Sequence, residues 1–308
     1  MSLKDKLVQT KFYQDLILLL KRYSLPGFKG LKIYDVLSFF LKGLYDGALD
    51  TRASSMAFKF FLALFPGIIF LFTLIPFLPI SGTEEELFSL LKDILPKQAY
   101  DLSISTVQDI ILNKHGSVLS LNFIIAIYFA TNGVKAMVQE FNNGLNVKHQ
   151  RNYLSTQLVS FLLVCILTII LFVSIAAIVT STWFIDYLTS VQYFENIPLY
   201  SLLKVSTWII LFGLFYFAIS FIYYYGPSRH DKWRFFSPGA ALASILTLVT
   251  SIAFSYYVNN FAQYNKLYGS IGTLISIMLW LYFNSLVLLI GFELNTSLRS
   301  AKNKIESS

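Results

Sequence analysis

Hydrophobic residues occur along this chain in long uninterrupted blocks. Six stretches of 20 to 34 residues contain no Asp, Glu, Lys or Arg, and together they make up more than half of the chain. They are residues 60–83, 115–134, 152–185, 205–228, 235–265 and 267–292. About 20 apolar residues, each rising about 1.5 Å along a helix, cross the ~30 Å hydrocarbon core of a bilayer. The pattern therefore predicts membrane-spanning segments.

These segments are predicted to be helices, because lipid cannot satisfy the backbone polar groups of an open strand. A transmembrane β-barrel would show strict alternation of apolar and polar residues, and 163–173 shows none. The predicted fold class is an all-α polytopic membrane protein with six transmembrane helices. The spans are placed near 55–79, 118–138, 156–182, 203–225, 237–258 and 270–296.

Composition narrows the class further. Hydrophobic residues account for 56% of the chain and charged residues for 13%, about half the charged share of a soluble domain. This excludes a soluble globular enzyme, a disordered chain and a coiled coil. The first 50 residues lack an apolar core of the length that a cleavable signal peptide needs, so none is expected.

The positions of Lys and Arg predict the orientation. Eighteen of the 24 precede the first span, follow the last, or lie between spans 2 and 3 or 4 and 5 and at the ends of those spans that face the same side. Five lie on the other side, and Lys59 lies inside span 1. Because cytoplasmic loops are enriched in Lys and Arg, both termini are predicted to be cytoplasmic. The net charge of +7 then suits anionic lipid at the inner membrane face, and no nucleic-acid partner is expected.

Three parts of the chain are distinguished. Residues 1–52 are predicted to form cytoplasmic amphipathic helices that either lie on the inner membrane face or pack beneath the bundle. Residues 53–298 form the membrane domain, and 299–308 a cytoplasmic tail. Between spans 1 and 2, an external helical hairpin is predicted over 83–114. Its start, with Thr83 as N-cap and Glu86 three positions later, favours a capping box over a calcium site.

Little in the sequence suggests catalysis. There is no phosphate-binding loop, and the three histidines fall in predicted loops on two sides of the membrane without partners at metal-ligand spacing. No cofactor, no metal and no enzymatic activity are therefore expected.

Several polar residues do fall near the cytoplasmic ends of spans 1, 2 and 6. Charges inside a bilayer usually pair with one another or line a cavity. We therefore hypothesise a polar cavity that opens to the cytoplasm. The alternative is that the long side chains reach the headgroups by snorkelling. The residues are Lys59, Asn132, Lys135, Gln139, Glu140, Glu293 and Asn295.

Other residues bear on helix geometry. Pro66 is predicted to break or kink span 1, and Ser237-Pro238 to cap the start of span 5. Gly269, Gly272 and Ser276 are small residues that favour close helix packing in span 6. Asn284 and Ser285 are expected to form hydrogen bonds to neighbouring helices.

An ordered set of short motifs resembles the YihY/BrkB family of bacterial inner-membrane proteins over residues 40–298. The motifs are Ala57 to Pro66, Tyr225-Gly226-Pro227, Ser237 to Ala240, Tyr268 to Gly272, Trp280-Leu281-Tyr282 and Gly291 to Asn295. Lys59 departs from the aromatic or small polar residue typical of that position.

The resemblance implies six spans in a bacterial inner membrane. Some members of the family have been labelled ribonuclease BN, others virulence or serum-resistance factors, and transport has been suggested. The resemblance brings no agreed substrate and no catalytic residues. We expect a transporter or exporter of a small molecule, lipid or envelope component. The alternative is a non-transporting membrane scaffold or envelope-assembly factor, and no ribonuclease activity is expected.

Overall fold

The computed structural model describes most of the predicted membrane domain. The described residues are 20–21, 23–24, 31–46, 48–74, 116–145, 151–190, 197–228, 235–261 and 270–306. All regular secondary structure in these ranges is helical. The predicted external hairpin over 83–114, the packing residue Gly269 and most of the N-terminal segment lie outside them.

Seven helices form the described structure, and each predicted span coincides with one of the last six. They are α1 (Ile33–Asp46), α2 (Leu49–Leu74), α3 (Gly116–Gly144), α4 (Tyr153–Ser190), α5 (Ile197–Tyr225), α6 (Pro238–Phe261) and α7 (Ser270–Glu306). The all-α class predicted from the apolar blocks is confirmed.

Three of the described helical segments are long and apolar enough to cross a membrane. They are Tyr153–Ser174 in α4, Pro238–Val258 in α6 and Leu274–Asn303 in α7, and a shorter apolar segment, Phe212–Tyr225, lies in α5. Large apolar side chains such as Leu154 and Ile169 are exposed on α4, as expected where lipid rather than protein covers a helix.

Helix ends follow local sequence signals. Ser237 caps α6, because its Oγ accepts a hydrogen bond from the backbone N–H of Ala240 at 3.2 Å, and Pro238 occupies the first helical position. Pro66 lies inside α2, and the helix continues past it to Leu74. The expected break at Pro66 therefore does not interrupt the helix.

Polar side chains within α7 bond to their own helix. Asn284 Nδ2 donates to the Trp280 carbonyl at 2.8 Å, and Ser276 Oγ donates to the Gly272 carbonyl at 3.0 Å. The expectation that Asn284 bonds to a neighbouring helix is wrong. A short polar side chain already has the carbonyl four residues earlier within reach, so this local bond forms without a second helix.

An aromatic cluster forms the centre of the core. Phe141 of α3 stacks on Phe292 of α7 with ring centroids 4.3 Å apart, and Tyr223 of α5 meets both rings edge-on at 5.5 and 5.6 Å. The Tyr223 hydroxyl donates to the Leu288 carbonyl of α7. Three helices are thereby locked together at one end of the bundle.

Helix α1 packs against the C-terminal part of α7. Leu31 and Val36 on the α1 side form a small buried cluster with Ala301, and Leu294 and Leu298 of α7 pack around it. Of the two predicted positions for the N-terminal helices, α1 occupies the one against the bundle. The predicted tail begins inside α7, because that helix runs to Glu306.

Candidate functional site

The candidate site is a charged cluster formed by Arg52, Glu140 and Glu293. Arg52 lies in the first turn of α2, and its Nε is 3.7 Å from Oε2 of Glu140 on α3. The two side chains are only 11% and 14% exposed. Glu293 of α7 is 7% exposed, and the Arg52 guanidinium also acts electrostatically on its carboxylate. Three helices thus contribute one charge each to a buried location.

Glu140 and Arg52 are held in place by the end of α3. Arg52 Nη2 donates a hydrogen bond to the backbone carbonyl of Glu140, one turn before the C-terminal end of α3. A positive charge is favourable at this end of the helix dipole. Asn143 Nδ2 donates to Glu140 Oε2 at 3.2 Å, and a Cβ at Gly144 would lie 2.7 Å from Arg52 Nη2. Gly144 therefore leaves the room that the guanidinium occupies.

Glu293 is covered by the backbone of α1. A Cβ built at Gly43 would overlap Oε1 of Glu293 and would lie 2.6 Å from its Cδ. Only glycine at position 43 lets the carboxylate and α1 occupy their present positions. The charged cluster therefore has α1 on one side and the aromatic cluster of Phe141 and Phe292, the sequence neighbours of Glu140 and Glu293, on another.

Asn295 has a structural position rather than one in the charged cluster. Its Oδ1 accepts from the Gly239 N–H at 2.9 Å, and its Nδ2 donates to Ser237 Oγ at 2.9 Å. From a neighbouring helix, the side chain satisfies buried polar groups at the start of α6. Just beyond it, Gly239 and Gly291 bring α6 and α7 together so closely that a Cβ on either would overlap or crowd the carbonyl oxygen of the other.

The remaining predicted site residues lie apart from the charged cluster. Lys135 is buried, and its Nζ lies 3.5 Å from the ring centroid of Tyr153 on α4. Lys59 and Gln139 are exposed, and Asn132 is half-buried. At 100° per residue, Lys135 points about 140° away from Glu140 around α3, and Lys59 lies about 10 Å beyond Arg52 along α2. The structure therefore brings together Glu140 and Glu293 but not Lys59 or Lys135.

A second polar anchor fixes the end of α5. Arg151 Nη1 donates to the carbonyls of Tyr225 and Gly226 at 3.2 and 3.0 Å, and Asn142 Oδ1 accepts from the Ser228 N–H at 2.8 Å. Burial lowers the pKa of the Arg151 guanidinium from its ordinary value, and the group remains a cation at neutral pH. The Tyr225-Gly226-Pro227 turn is thus fastened to both α3 and the start of α4.

The motifs noted in the sequence meet at this end of the bundle. The Tyr225-Gly226-Pro227 turn, the Ser237 to Ala240 cap and the Gly291 to Asn295 segment surround the charged and aromatic clusters. A family model described as virulence factor BrkB matches residues 40–308. The chain belongs to this family.

Relatives of this BrkB-family protein agree with that assignment. The chain is 28% identical over 263 residues to the ribonuclease-like protein YfkH of Bacillus subtilis (strain 168), covering 84% of this chain and 92% of the relative. It is 24% identical over 270 residues to the UPF0761 membrane protein NTHI0384 of Haemophilus influenzae (strain 86-028NP), covering 87% and 96%. A UPF0761 membrane protein of Tolumonas auensis (strain DSM 9187 / NBRC 110442 / TA 4) is 21% identical over 266 residues, covering 85% and 84%. No solved structure matches. The BrkB-family chain is a multi-pass bacterial membrane protein.

Arg52 and Gly43 are the members of the site that the sequence did not reveal. Arg52 was assigned to the cytoplasmic segment, because an apolar span excludes charges at its start. In the structure α2 begins at Leu49 and already buries Ala53 and Met56 in its first two turns. Helical spacing of buried small and apolar residues around Arg52 is the signal that would have placed it at a helix interface.

The charged cluster offers acid–base and ion-binding chemistry. Across the described ranges, no three His, Cys, Asp or Glu side chains come close enough together to hold a metal ion. One guanidinium faces two carboxylates at this site. This charged cluster can bind and release a proton or a cationic ligand.

Proposed function

We propose that this BrkB-family protein is a six-span inner-membrane transporter that exports a small molecule, a lipid or an envelope component. In this topology both termini lie in the cytoplasm, and the charged cluster lies near the cytoplasmic side. The observation that carries the proposal is the burial of Arg52, Glu140 and Glu293 between membrane helices. Ionisable groups in such positions are expensive, and in membrane proteins they mark substrate or ion pathways.

Flux through purified protein tests this function. The full chain is reconstituted into vesicles of phosphatidylethanolamine and phosphatidylglycerol that contain fluorescently labelled phosphatidylglycerol, and transfer between leaflets is followed with a membrane-impermeant quencher. A second set of vesicles is loaded with labelled amino acids, sugars and nucleosides, and efflux is measured. Export predicts flux in one set.

Glu293→Gln separates transport from leakage. This variant removes one charge from the cluster, and flux should fall strongly. The matched control is Asp50→Asn, which removes an exposed acid two residues before Arg52 on α2 and should leave flux unchanged. Equal flux in wild type and Glu293→Gln, with both proteins folded, would refute a role for the cluster in transport.

One observation favours a second function, that of a membrane scaffold. Leu37, Leu41 and Tyr45 are exposed on the face of α1 turned away from α7, spaced four residues apart, and Tyr45 is 91% exposed. An apolar stripe on a helix is a common binding surface for another protein. If no flux is observed in any vesicle, crosslinking from Tyr45 in intact membranes is the measurement that tests this function.

We also propose that the chain does not hydrolyse RNA, although its Bacillus relative is named ribonuclease-like. The proposal is supported by the scarcity of residues suited to hydrolysis, since the whole chain has three histidines and one cysteine. Incubation of the purified protein with labelled RNA and Mg²⁺ tests it, and cleavage that copurifies with the wild type through two further columns would overturn it.

A further inference from the structure

Among the residues that the structure describes, the charges around Glu293 do not balance. Arg52 approaches from α2 and is itself paired with Glu140 of α3, while α6 carries no charged residue at all. From α1, the group in contact is the Gly43 backbone, and the neighbouring Lys42 side chain is exposed. On α7 itself, the nearest charged residues are Arg299 and Lys302, more than one turn further along. Two carboxylates therefore share one guanidinium in a buried location.

Glu293 is the carboxylate with fewer interactions. Arg52 forms its close ion pair and a backbone hydrogen bond with Glu140, whose carboxylate also accepts from Asn143. Within the described part of the chain, no donor forms a hydrogen bond with the Glu293 carboxylate, and Arg52 is its electrostatic partner. Burying an ionised carboxylate without donors is unfavourable, and uptake of a proton relieves the penalty.

Helix α1 covers this carboxylate through a small packing surface on α7. Its packing surface is the small cluster around Val36 and Ala301, and Gly43 closes over Glu293. The connection to α2 contains Ala48, whose φ of 43° lies in the left-handed region. A non-glycine residue adopts this conformation only when surrounding contacts hold it there. Strain at this connection would be released if α1 moved away from α7.

We propose that Glu293 binds one exchangeable proton, and that α1 docks over Glu293 while the proton is bound. Docked α1 excludes water from Glu293 and so favours the neutral carboxyl. By linkage, docking is strengthened at low pH and weakened as the pH rises and the proton leaves. The opened state exposes the cluster to the cytoplasm. Regulation of the charged cluster by α1 rests on the function proposed above. The docking of α1 itself can be measured without any transported substrate.

Thiol accessibility on α1 tests the proposal. Cys165 is the only cysteine of the chain, so Cys165→Ser gives a cysteine-free full-length background. Val36→Cys places a thiol in the α1–α7 interface, where the native side chain is 1% exposed, and Leu37→Cys places one on the open face, where it is 37% exposed. The rate of alkylation by a maleimide is measured for each in lipid nanodiscs between about pH 5 and about pH 8. Dividing the first rate by the second removes the pH dependence of thiol reactivity itself.

The proposal expects this ratio to rise with pH, by up to about tenfold per pH unit for release of one proton. In Glu293→Gln, this ratio should not change with pH and should stay at the low value expected while α1 is docked. Glu140→Gln should make the ratio independent of pH too, because Arg52 then compensates Glu293 alone. Asp50→Asn should keep the wild-type profile.

A ratio that does not change with pH in the wild type would overturn the proposal. A slope that persists in either Glu293→Gln or Glu140→Gln would overturn it as well. The two variants act on different helices, so if one of them fails to fold the other still gives a decisive profile. Absence of flux in vesicles together with a normal accessibility profile would reject transport while leaving the proton switch intact.

Discussion

The close approach of α6 and α7 predicts a large effect for Gly291→Ala. The added Cβ would lie 2.5 Å from the Gly239 carbonyl oxygen, 2.6 Å from Ala243 Cβ and 2.7 Å from the Tyr223 hydroxyl. Carbon atoms in contact normally stay about 3.5–4.0 Å apart, so the two helices must separate by about 1 Å. Overpacking of this kind costs about 3 kcal/mol at the upper end of its usual range.

The net destabilisation is smaller, because alanine is favoured over glycine inside a helix by about 1 kcal/mol. A net loss of about 2 kcal/mol corresponds to a fall in Tm of about 4–8 °C. Thermal unfolding of the purified protein in detergent, followed by tryptophan fluorescence, gives the measurement.

Gly213→Ala is the matched control for this prediction. Gly213 lies in the apolar part of α5 and has no atom within 4 Å of an added Cβ. The same substitution there should leave Tm unchanged or raise it by about 2–4 °C, from helix propensity alone. If Gly291→Ala were as stable as Gly213→Ala, the inferred helix contact at Gly239 and Gly291 would be refuted.

Three further substitutions test the polar anchors by the same Tm measurement. Arg52→Ala leaves two buried carboxylates without their cation and should lower the free energy of unfolding by about 3 kcal/mol. The loss should be smaller at about pH 5 than at about pH 8, because a protonated carboxyl needs no cation, and a larger loss at low pH would contradict the charge assignment. Asn295→Ala removes the side chain that bonds to the start of α6 and should lower the free energy of unfolding by about 1–2 kcal/mol. The control Asn284→Ala removes a bond within one helix and should lower it by less than about 0.5 kcal/mol. Equal losses in the two variants would contradict the bridging role of Asn295. Arg151→Ala should cost about 1–2 kcal/mol through the Tyr225 and Gly226 carbonyls, and an unchanged Tm would show that the turn does not depend on these bonds.

The positions of the helices could be predicted from the sequence with little loss. Each predicted span coincides with a helix, and the Ser237-Pro238 start of α6 is where the cap was placed. These features depend on local properties, namely the length of an apolar block and the hydrogen-bonding capacity of a residue beside it. Helix α2 continues past Pro66 to Leu74, and a kink at Pro66 stays a prediction.

The composition of the charged cluster could not be predicted in the same way. Glu140 and Glu293 were singled out for their depth in the membrane, and both belong to it. Lys59 and Lys135 were singled out for the same reason and lie elsewhere, while Arg52 was placed in the cytoplasmic N-terminal segment 1–52. Depth along a helix follows from residue number, but the direction in which a side chain points depends on how each helix is rotated against its neighbours.

By itself, the sequence determined that this BrkB-family protein is an all-helical membrane protein and where its helices run. Those features follow from the cost of exposing apolar side chains to water and backbone groups to lipid, which acts on every segment separately. Only the tertiary structure decided which side chains meet. Arg52 reaches Glu140 because α2 begins beside the end of α3, and Gly43 covers Glu293 because α1 packs on α7. Such contacts join residues up to 270 positions apart in the chain, and they depend on the packing of whole helices rather than on any local pattern.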